Sequence, residues 1–319
     1  MPRSRLAGMK TLAVYHKQLG DTLMLQPTLA KLAWQDGEPV GLATRPAFAD
    51  LISLMPDVRW MPLRPAPVAE RLFSYDAGDR SSLVSLWCRA RMKHLLTFSD
   101  FYVRFYHHWI FDRIHLLNQQ QIYRGCYLWS ITPGEDKGDF EPSKLNRPPD
   151  EWLPIGLPAE PFLLVHATSA WQRKCWPAAS WRVAIEHFQQ HTGLPVVLTG
   201  GTSEWEKRLC AEIAEGMRNV TNLGGKTSLR GIMAVASRAN MVATVDGFVS
   251  HLASAFRRPC LTLFGPTNVN HWHFASPITC AAYPGSDPGA AKGRKINDIS
   301  IEAMLERSDA WLHQVKLVA

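Results

Sequence analysis

Five short stretches hold residue types that could bind and move a charged group. Leu19-Gly20-Asp21-Thr22 places a carboxylate beside a glycine turn. Such an acid can take a proton from a hydroxyl as a general base, or it can simply cap the helix that follows. His166-Ala167-Thr168-Ser169 is followed by Arg173-Lys174-Cys175-Trp176-Pro177. Hydroxyls, a lysine and a helix start suit a diphosphate, because N–H donors and a cation converge on the anion; the plainer alternative is a cap with a surface lysine. In Gly200-Gly201-Thr202-Ser203-Glu204, paired glycines permit close backbone approach and the acid could accept from ribose hydroxyls. Asp246-Gly247-Phe248-Val249-Ser250-His251 sets an acid before a histidine that is either a buried hydrogen-bonding ring or a catalyst. Leu263-Phe264-Gly265-Pro266-Thr267 is the fifth.

The elements that must carry these stretches follow from hydrophobic pattern. Lys10–Tyr15 reads as a buried strand, Thr22–Trp34 as a helix and Pro39–Thr44 as a strand. Trp87–Arg124 is rich in aromatic and basic residues and reads as helical, with a solvated basic face or a surface for an anionic partner. Seven prolines between Thr132 and Pro161 exclude a helix or central strand there and mark a linker. From Phe162 onward, short apolar runs alternate with helical patterns: strands at Phe162–His166, Pro195–Thr199, Val220–Asn222, Met241–Val245 and Cys260–Phe264. The helices fall at Ala178–Thr192, Glu204–Gly216, Ser228–Ser237, Val249–Phe256 and Ile301–Val315. Alternation of this kind implies parallel sheets with helices on both faces, and ligands bind such sheets beyond the strands' carboxyl ends. The expected fold class is α/β: two Rossmann-like domains, 1–155 and 156–300, facing a central cleft. Helix 301–319 is a candidate to pack back on the first.

The chain has 319 residues and a net charge of +7, with 35 Lys and Arg against 28 Asp and Glu. That length accommodates two domains, and the basic balance favours anionic partners. There is no G-x-G-x-x-G or G-x-x-x-x-G-K-[ST] segment, so neither a dinucleotide fingerprint nor a P-loop is supported, and no nucleic-acid motif accompanies the charge. The six cysteines form no C-x-x-C pair, no Cys/His spacing reads as a zinc site, and no Asp-x-Asp is present, so neither metal nor cofactor is expected. Scattered single cysteines point to a reducing cytoplasm. No run of 18 apolar residues is available to span a membrane, and the apolar Thr11–Tyr15 is too short for a signal-peptide core.

Taken in order, L-G-D-x(5)-P, H-A-T-S-x(4)-K-x-W-P, L-x-G-G-x-x-E, G-K-T-S-L, D-x(4)-H-L-A and L-F-G-P-T resemble glycosyltransferase family 9, the ADP-heptose:lipopolysaccharide heptosyltransferases. The likeness spans nearly the whole chain, is densest from Phe162 to Thr267, and looks closest to the heptosyltransferase I type. It implies the two-domain GT-B architecture and inverting, metal-independent transfer of heptose from ADP-heptose to an anionic lipopolysaccharide inner-core acceptor at the inner-membrane surface. On residues, it implies Asp21 as general base and Lys174 as the charge that neutralises departing ADP. Thr168, Ser169, Lys226 and Thr227 would lie along the nucleotide, Glu204 on the ribose, Asp246 on the sugar, and Gly247, Phe248, Val249 and His251 would form the pocket wall. Lys17, Arg45 and Arg64 are the candidates for the acceptor's anions. Where the family carries Asp-Ser/Thr-Gly, this chain has Asp246-Gly247-Phe248, which removes a hydroxyl and adds a ring. Another nucleotide sugar or acceptor, and a sugar-nucleotide-binding protein without turnover, are the alternatives.

Overall fold

A computed structural model describes residues 8–98, 100–116, 122–135, 138–159, 161–290 and 293–318. The chain divides into two compact units, 1–146 and 147–319.

The first unit runs β1 (Met9–Val14), α1 (Leu19–Met24), α2 (Gln26–Asp36), β2 (Val40–Ala43), α3 (Ala49–Ser53), β3 (Val58–Trp60), β4 (Val68–Ser74), α4 (Asp79–Trp87), β5 (Arg89–Thr97), α5 (His107–Ile110), β6 (Arg113–Leu116) and α6 (Arg124–Ile131). Its six strands are ordered β3-β2-β1-β4-β5-β6, and each pairs with its neighbours in parallel. Leu12, Ala13 and Val14 are fully buried on both faces of the sheet, as the centre of a parallel sheet requires.

The second unit runs β7 (Leu163–His166), α7 (Ala178–Thr192), β8 (Val196–Thr199), α8 (Glu204–Ala214), β9 (Val220–Asn222), α9 (Leu229–Arg238), β10 (Met241–Val245), α10 (Phe248–Ala255), β11 (Cys260–Leu263), α11 (Val269–Trp272), β12 (Thr279–Ala282) and α12 (Ile301–Val318). The order β12-β11-β10-β7-β8-β9, again parallel, repeats the winding of the first sheet. In each sheet the order reverses between the first and fourth strands, β1 and β4 or β7 and β10. Chains leaving those strands in opposite directions open a crevice at the carboxyl edge.

Two expectations need correction. The basic aromatic stretch from Trp87 is not a run of helices: Arg89–Thr97 is a nine-residue strand, β6 is another, and between them lie a 3₁₀ turn at Asp100–Tyr102 and the short α5. β4 offers β5 a ladder from Val68 to Ser74, and pairing along it outweighs a weak helical preference. The closing helix belongs to the second unit. Met304, Trp311, Leu312 and Val315 of α12 join that unit's core beside Trp176, Trp181 and Phe188, and each such buried side chain contributes about 1.5–3 kcal/mol.

The proline-rich segment is tied down locally. Ser143 Oγ donates to the Leu23 carbonyl at 2.8 Å and the Asn146 amide to that of Leu54, also at 2.8 Å. Further on, Asp150 pairs with Arg238 and the Trp152 ring lies 5.3 Å from the Arg230 guanidinium.

Candidate active site

In the second unit, the loops leaving β7, β10 and β11 bring three polar side chains together. The Lys174 ammonium donates to Asp246 Oδ2 at 2.6 Å, and Thr267 Oγ1 donates to the same oxygen at 2.6 Å. Both charges are largely withdrawn from water, with side chains 15% and 5% exposed. Lys174 ends a 3₁₀ turn, Gln172–Lys174, and its ammonium lies 5.0 Å from the Trp171 ring centre, where the electron-rich face favours a cation. Asp246 follows β10 directly, and its amide donates to the Leu263 carbonyl, which fixes the carboxylate at the strand end. Gly247 caps α10, so the first N–H groups of that eight-residue helix open beside the cluster. Phe248, half-buried, is the first helical residue, Val249 is buried, and His251 lies one turn further in. Burial pulls the His251 ring down to about 4, with Lys174 acting in the same direction and Asp246 against it. The ring is therefore neutral at pH 7.

The neighbouring corner, after β7 and β8, is built differently from the expectation. Thr168 is only 2% exposed. Its hydroxyl donates to Glu206 Oε1 at 2.9 Å and accepts from the Gly201 amide at 2.8 Å. Ser203 donates to Glu206 Oε2 at 2.6 Å in the capping box of α8. The organising acid is thus Glu206, whereas Glu204 has a side chain 84% exposed and pairs with Lys207. The signal was present in the sequence: Ser203-x-x-Glu206 has capping-box spacing. The paired glycines make room for protein. A β-carbon on Gly201 would strike the Glu206 carboxylate, and one on Gly200 would sit 2.6 Å from Cys210 Sγ.

This geometry gives a test of which acid matters. Glu206→Ala strips acceptors from the buried Thr168 hydroxyl and from Ser203, and should cost about 1–3 kcal/mol in urea unfolding. Glu204→Ala should leave the unfolding midpoint unchanged. Equal effects from the two substitutions would contradict the assignment.

The other residues of this unit are more peripheral. Ser169 is half-buried; its amide donates to Cys175 Sγ at 3.2 Å, and its hydroxyl lies 3.5 Å from the Trp171 amide. Lys226 and Thr227 follow β9, two strands from β7. Lys226 is exposed and donates to the Asn222 carbonyl at 3.2 Å.

In the first unit, Asp21 is the third residue of α1, not its cap, and Oδ2 accepts from the Gln18 amide at 3.1 Å. Tyr15, fully buried beside it, has its phenol raised by burial and by the Asp21 and Asp76 charges. Arg124, at the start of α6, has its guanidinium over the Phe98 ring at 4.4 Å; burial lowers its pKa, and Tyr127, Tyr15 and Asp21 act the other way. Sequence reasoning missed Asp76, the acid after β4. It accepts from the His16 amide at 3.2 Å, Ser81 Oγ at 2.6 Å and the Gly78 amide at 2.8 Å, and so fixes the loop leading to Asp21. Burial holds His16 near 4, neutral. Lys17 is exposed at this carboxyl edge, and Arg45 donates to the His16 carbonyl at 3.2 Å. Arg64 is elsewhere: the adjacent Leu63 carbonyl accepts from Trp87 Nε1, at the end of α4 that leads into the amino end of β5. It is removed from the edge where Lys17 and Arg45 lie.

Two parallel sheets of the same winding, each with charged side chains gathered beyond its carboxyl edge at the reversal of strand order, define the GT-B class of two-domain sugar transferases. The sequence profile of glycosyltransferase family 9 (heptosyltransferase) matches residues 116–283, just over half of the chain. The chain belongs to that family. It is 35% identical over 118 residues to lipopolysaccharide heptosyltransferase 1 of Pseudomonas aeruginosa, across 37% of this chain and 32% of that protein. The alignment thus spans about a third of the relative's length. The fold is similar to those of Escherichia coli ADP-heptose lipopolysaccharide heptosyltransferase II (TM-score 0.76, 18% identity, 97% of this chain and 100% of that one) and E. coli heptosyltransferase WaaC with ADP (TM-score 0.74, 17% identity, 95% and 99%).

Proposed function

We propose that this protein transfers heptose from ADP-heptose to an anionic lipopolysaccharide inner-core acceptor with inversion at the anomeric carbon. The observation that carries the reading is the Lys174–Asp246–Thr267 cluster at the β7/β10 reversal, beside the N-terminus of α10. A diphosphate fits there by charge: Lys174 turns from Asp246 to the phosphate oxygens, and the helix N–H groups supply further donors. Asp246, freed of its counter-ion, accepts from hydroxyls of the sugar. The acceptor oxygen attacks the anomeric carbon and passes its proton to Asp21. The bond from that carbon to the β-phosphate oxygen breaks, and ADP leaves with the electron pair. Positive charge for the leaving group comes from Lys174 and backbone N–H groups. Names of related proteins support the donor and acceptor: one is a lipopolysaccharide heptosyltransferase 1, and another was solved with ADP.

The acceptor is a glycolipid, so the reaction takes place at the cytoplasmic face of the inner membrane. No helix among the described residues is long and apolar enough to cross a membrane. The first unit does expose Phe101, Tyr102, Phe105 and Trp109 within one short segment that also carries Arg104, a composition suited to a headgroup interface.

The test is release of ADP by the purified chain given ADP-heptose and a Kdo-lipid acceptor, with the product's added mass read by mass spectrometry. UDP- and GDP-sugars in parallel reactions test whether Phe248 has changed the donor. Turnover of one of those in place of ADP-heptose would overturn the donor assignment, and no turnover with any would overturn the activity.

A further inference from the structure

On the outer side of the second unit, His187 and His191 lie one turn apart on α7, and Asp309 of α12 reaches them from 122 residues along the chain. We propose that these three side chains form a site for a divalent transition-metal ion of the zinc type, which fastens the closing helix to α7. The proposal is independent of the transferase reading.

The geometry is close to what such an ion needs. His187 Nε2 is 2.8 Å and His191 Nε2 3.9 Å from the same oxygen, Asp309 Oδ1, and all three ligand atoms lie within 4.8 Å of one another. Tetrahedral zinc with bonds of about 2.0–2.1 Å sets its ligand atoms about 3.3 Å apart, a value these separations bracket. Small side-chain rotations suffice.

A hydrogen bond also prepares the His191 ring, whereas His187 Nε2 donates to Asp309 Oδ1 and releases that proton to solvent when an ion takes its place. His191 Nδ1 is 2.8 Å from the His187 carbonyl, which can only accept, so Nδ1 carries the proton. In the neutral ring the lone pair is then on Nε2, the atom aimed at the site. An outer hydrogen bond of this kind fixes tautomer and ring orientation at metal sites. The His187 and His191 rings lie against each other, tilted by 36° with centres 4.1 Å apart, which limits their drift. Two imidazoles and one carboxylate favour zinc and similar ions over magnesium or calcium, and three protein ligands leave a position for water.

Both helices have reason to be joined there. α12 packs on α7 and on β12 and buries its apolar side in the core. The pair lies nine and thirteen residues into α7, roughly 13–20 Å along the helix from its start next to the Lys174 loop. The site is therefore structural and separate from the sugar chemistry.

The experiment uses the full chain freed of metal by a chelator, then titrated with Zn²⁺ by calorimetry and with Co²⁺ by absorption, alongside His191→Ala and Asp309→Asn. Both altered side chains are about half exposed, and melting in the presence of chelator checks that each variant folds like the wild type. The expected result is one tightly bound Zn²⁺ per wild-type chain, a rise in melting temperature on adding it, and affinity weakened about 100-fold or more in each variant. A tetrahedral Co²⁺ spectrum in the wild type, lost in both variants, is expected in parallel. Equal zinc uptake by all three proteins would place the metal elsewhere, for example on the cysteines, and overturn the proposal. Absence of saturable binding below millimolar zinc would overturn it as well, leaving a surface His–Asp hydrogen bond.

Discussion

Lys174→Ala should lower kcat/KM for ADP-heptose by about 1,000-fold, equivalent to about 4 kcal/mol of transition-state stabilisation. Charge builds on the β-phosphate oxygens as the glycosidic bond breaks, and Lys174 is the cation set at the β7/β10 reversal. Its side chain is 15% exposed, so its field acts through less water than a surface lysine's. The substitution also removes the 2.6 Å partner of Asp246, whose side chain is 5% exposed. Leaving that carboxylate with Thr267 alone should cost roughly 3 kcal/mol of stability. Two readouts separate these effects. Thermal unfolding without substrate reports the lost ion pair, and single-turnover ADP release by the still-folded fraction reports the chemistry. Lys174→Arg keeps the charge and should recover most of the stability but only part of the rate, because a planar guanidinium cannot reproduce the ammonium's position. A folded Lys174→Ala enzyme turning over within a few-fold of wild type would remove Lys174 from the reaction.

The second unit was readable because its strands are short apolar runs punctuated by turn residues. Met241–Val245 and Val220–Asn222 fall where the pattern puts them, and Ala178–Thr192 is helical throughout. Much of the first unit offered no such signal. β3 has three residues, Val58-Arg59-Trp60, and β5 opens Arg-Ala-Arg-Met-Lys, which looks polar until the ladder from β4 explains it. Strands near a sheet's edge need not be apolar on both faces, so periodicity alone overlooks them.

The site divides along the same line. Asp246 and Lys174 were legible because each sits in a short motif at a strand end, although nothing in the sequence shows that they pair 72 residues apart. Asp76 was invisible for that reason: its meaning lies in bonds to His16 and Ser81, and the first of these spans 60 residues. Glu204, the first acid after the glycines, is the exposed one, and Glu206 is turned inward to Thr168 and Ser203. Its capping spacing from Ser203 identified the inward-facing one. The His187–His191 pair was passed over because helical spacing supplies only two ligands, and the third arrives from another helix.

Asp21→Asn should reduce kcat by about 100- to 10,000-fold while leaving the donor KM and the fold nearly unchanged. The amide keeps the size of the carboxylate, and its oxygen can still accept from the Gln18 amide, so the start of α1 survives. What it loses is the ability to take a proton. ADP should bind the variant as it binds the wild type, because Lys174 and Asp246 belong to the other unit. Asp21→Ala supplies the contrast: it removes both the base and the helix contact, and should add a loss of stability of about 1 kcal/mol to the same loss of rate. If Asp21→Asn turns over normally and only Asp21→Ala fails, the carboxylate does no more than hold the start of α1, and the proton must leave by another group.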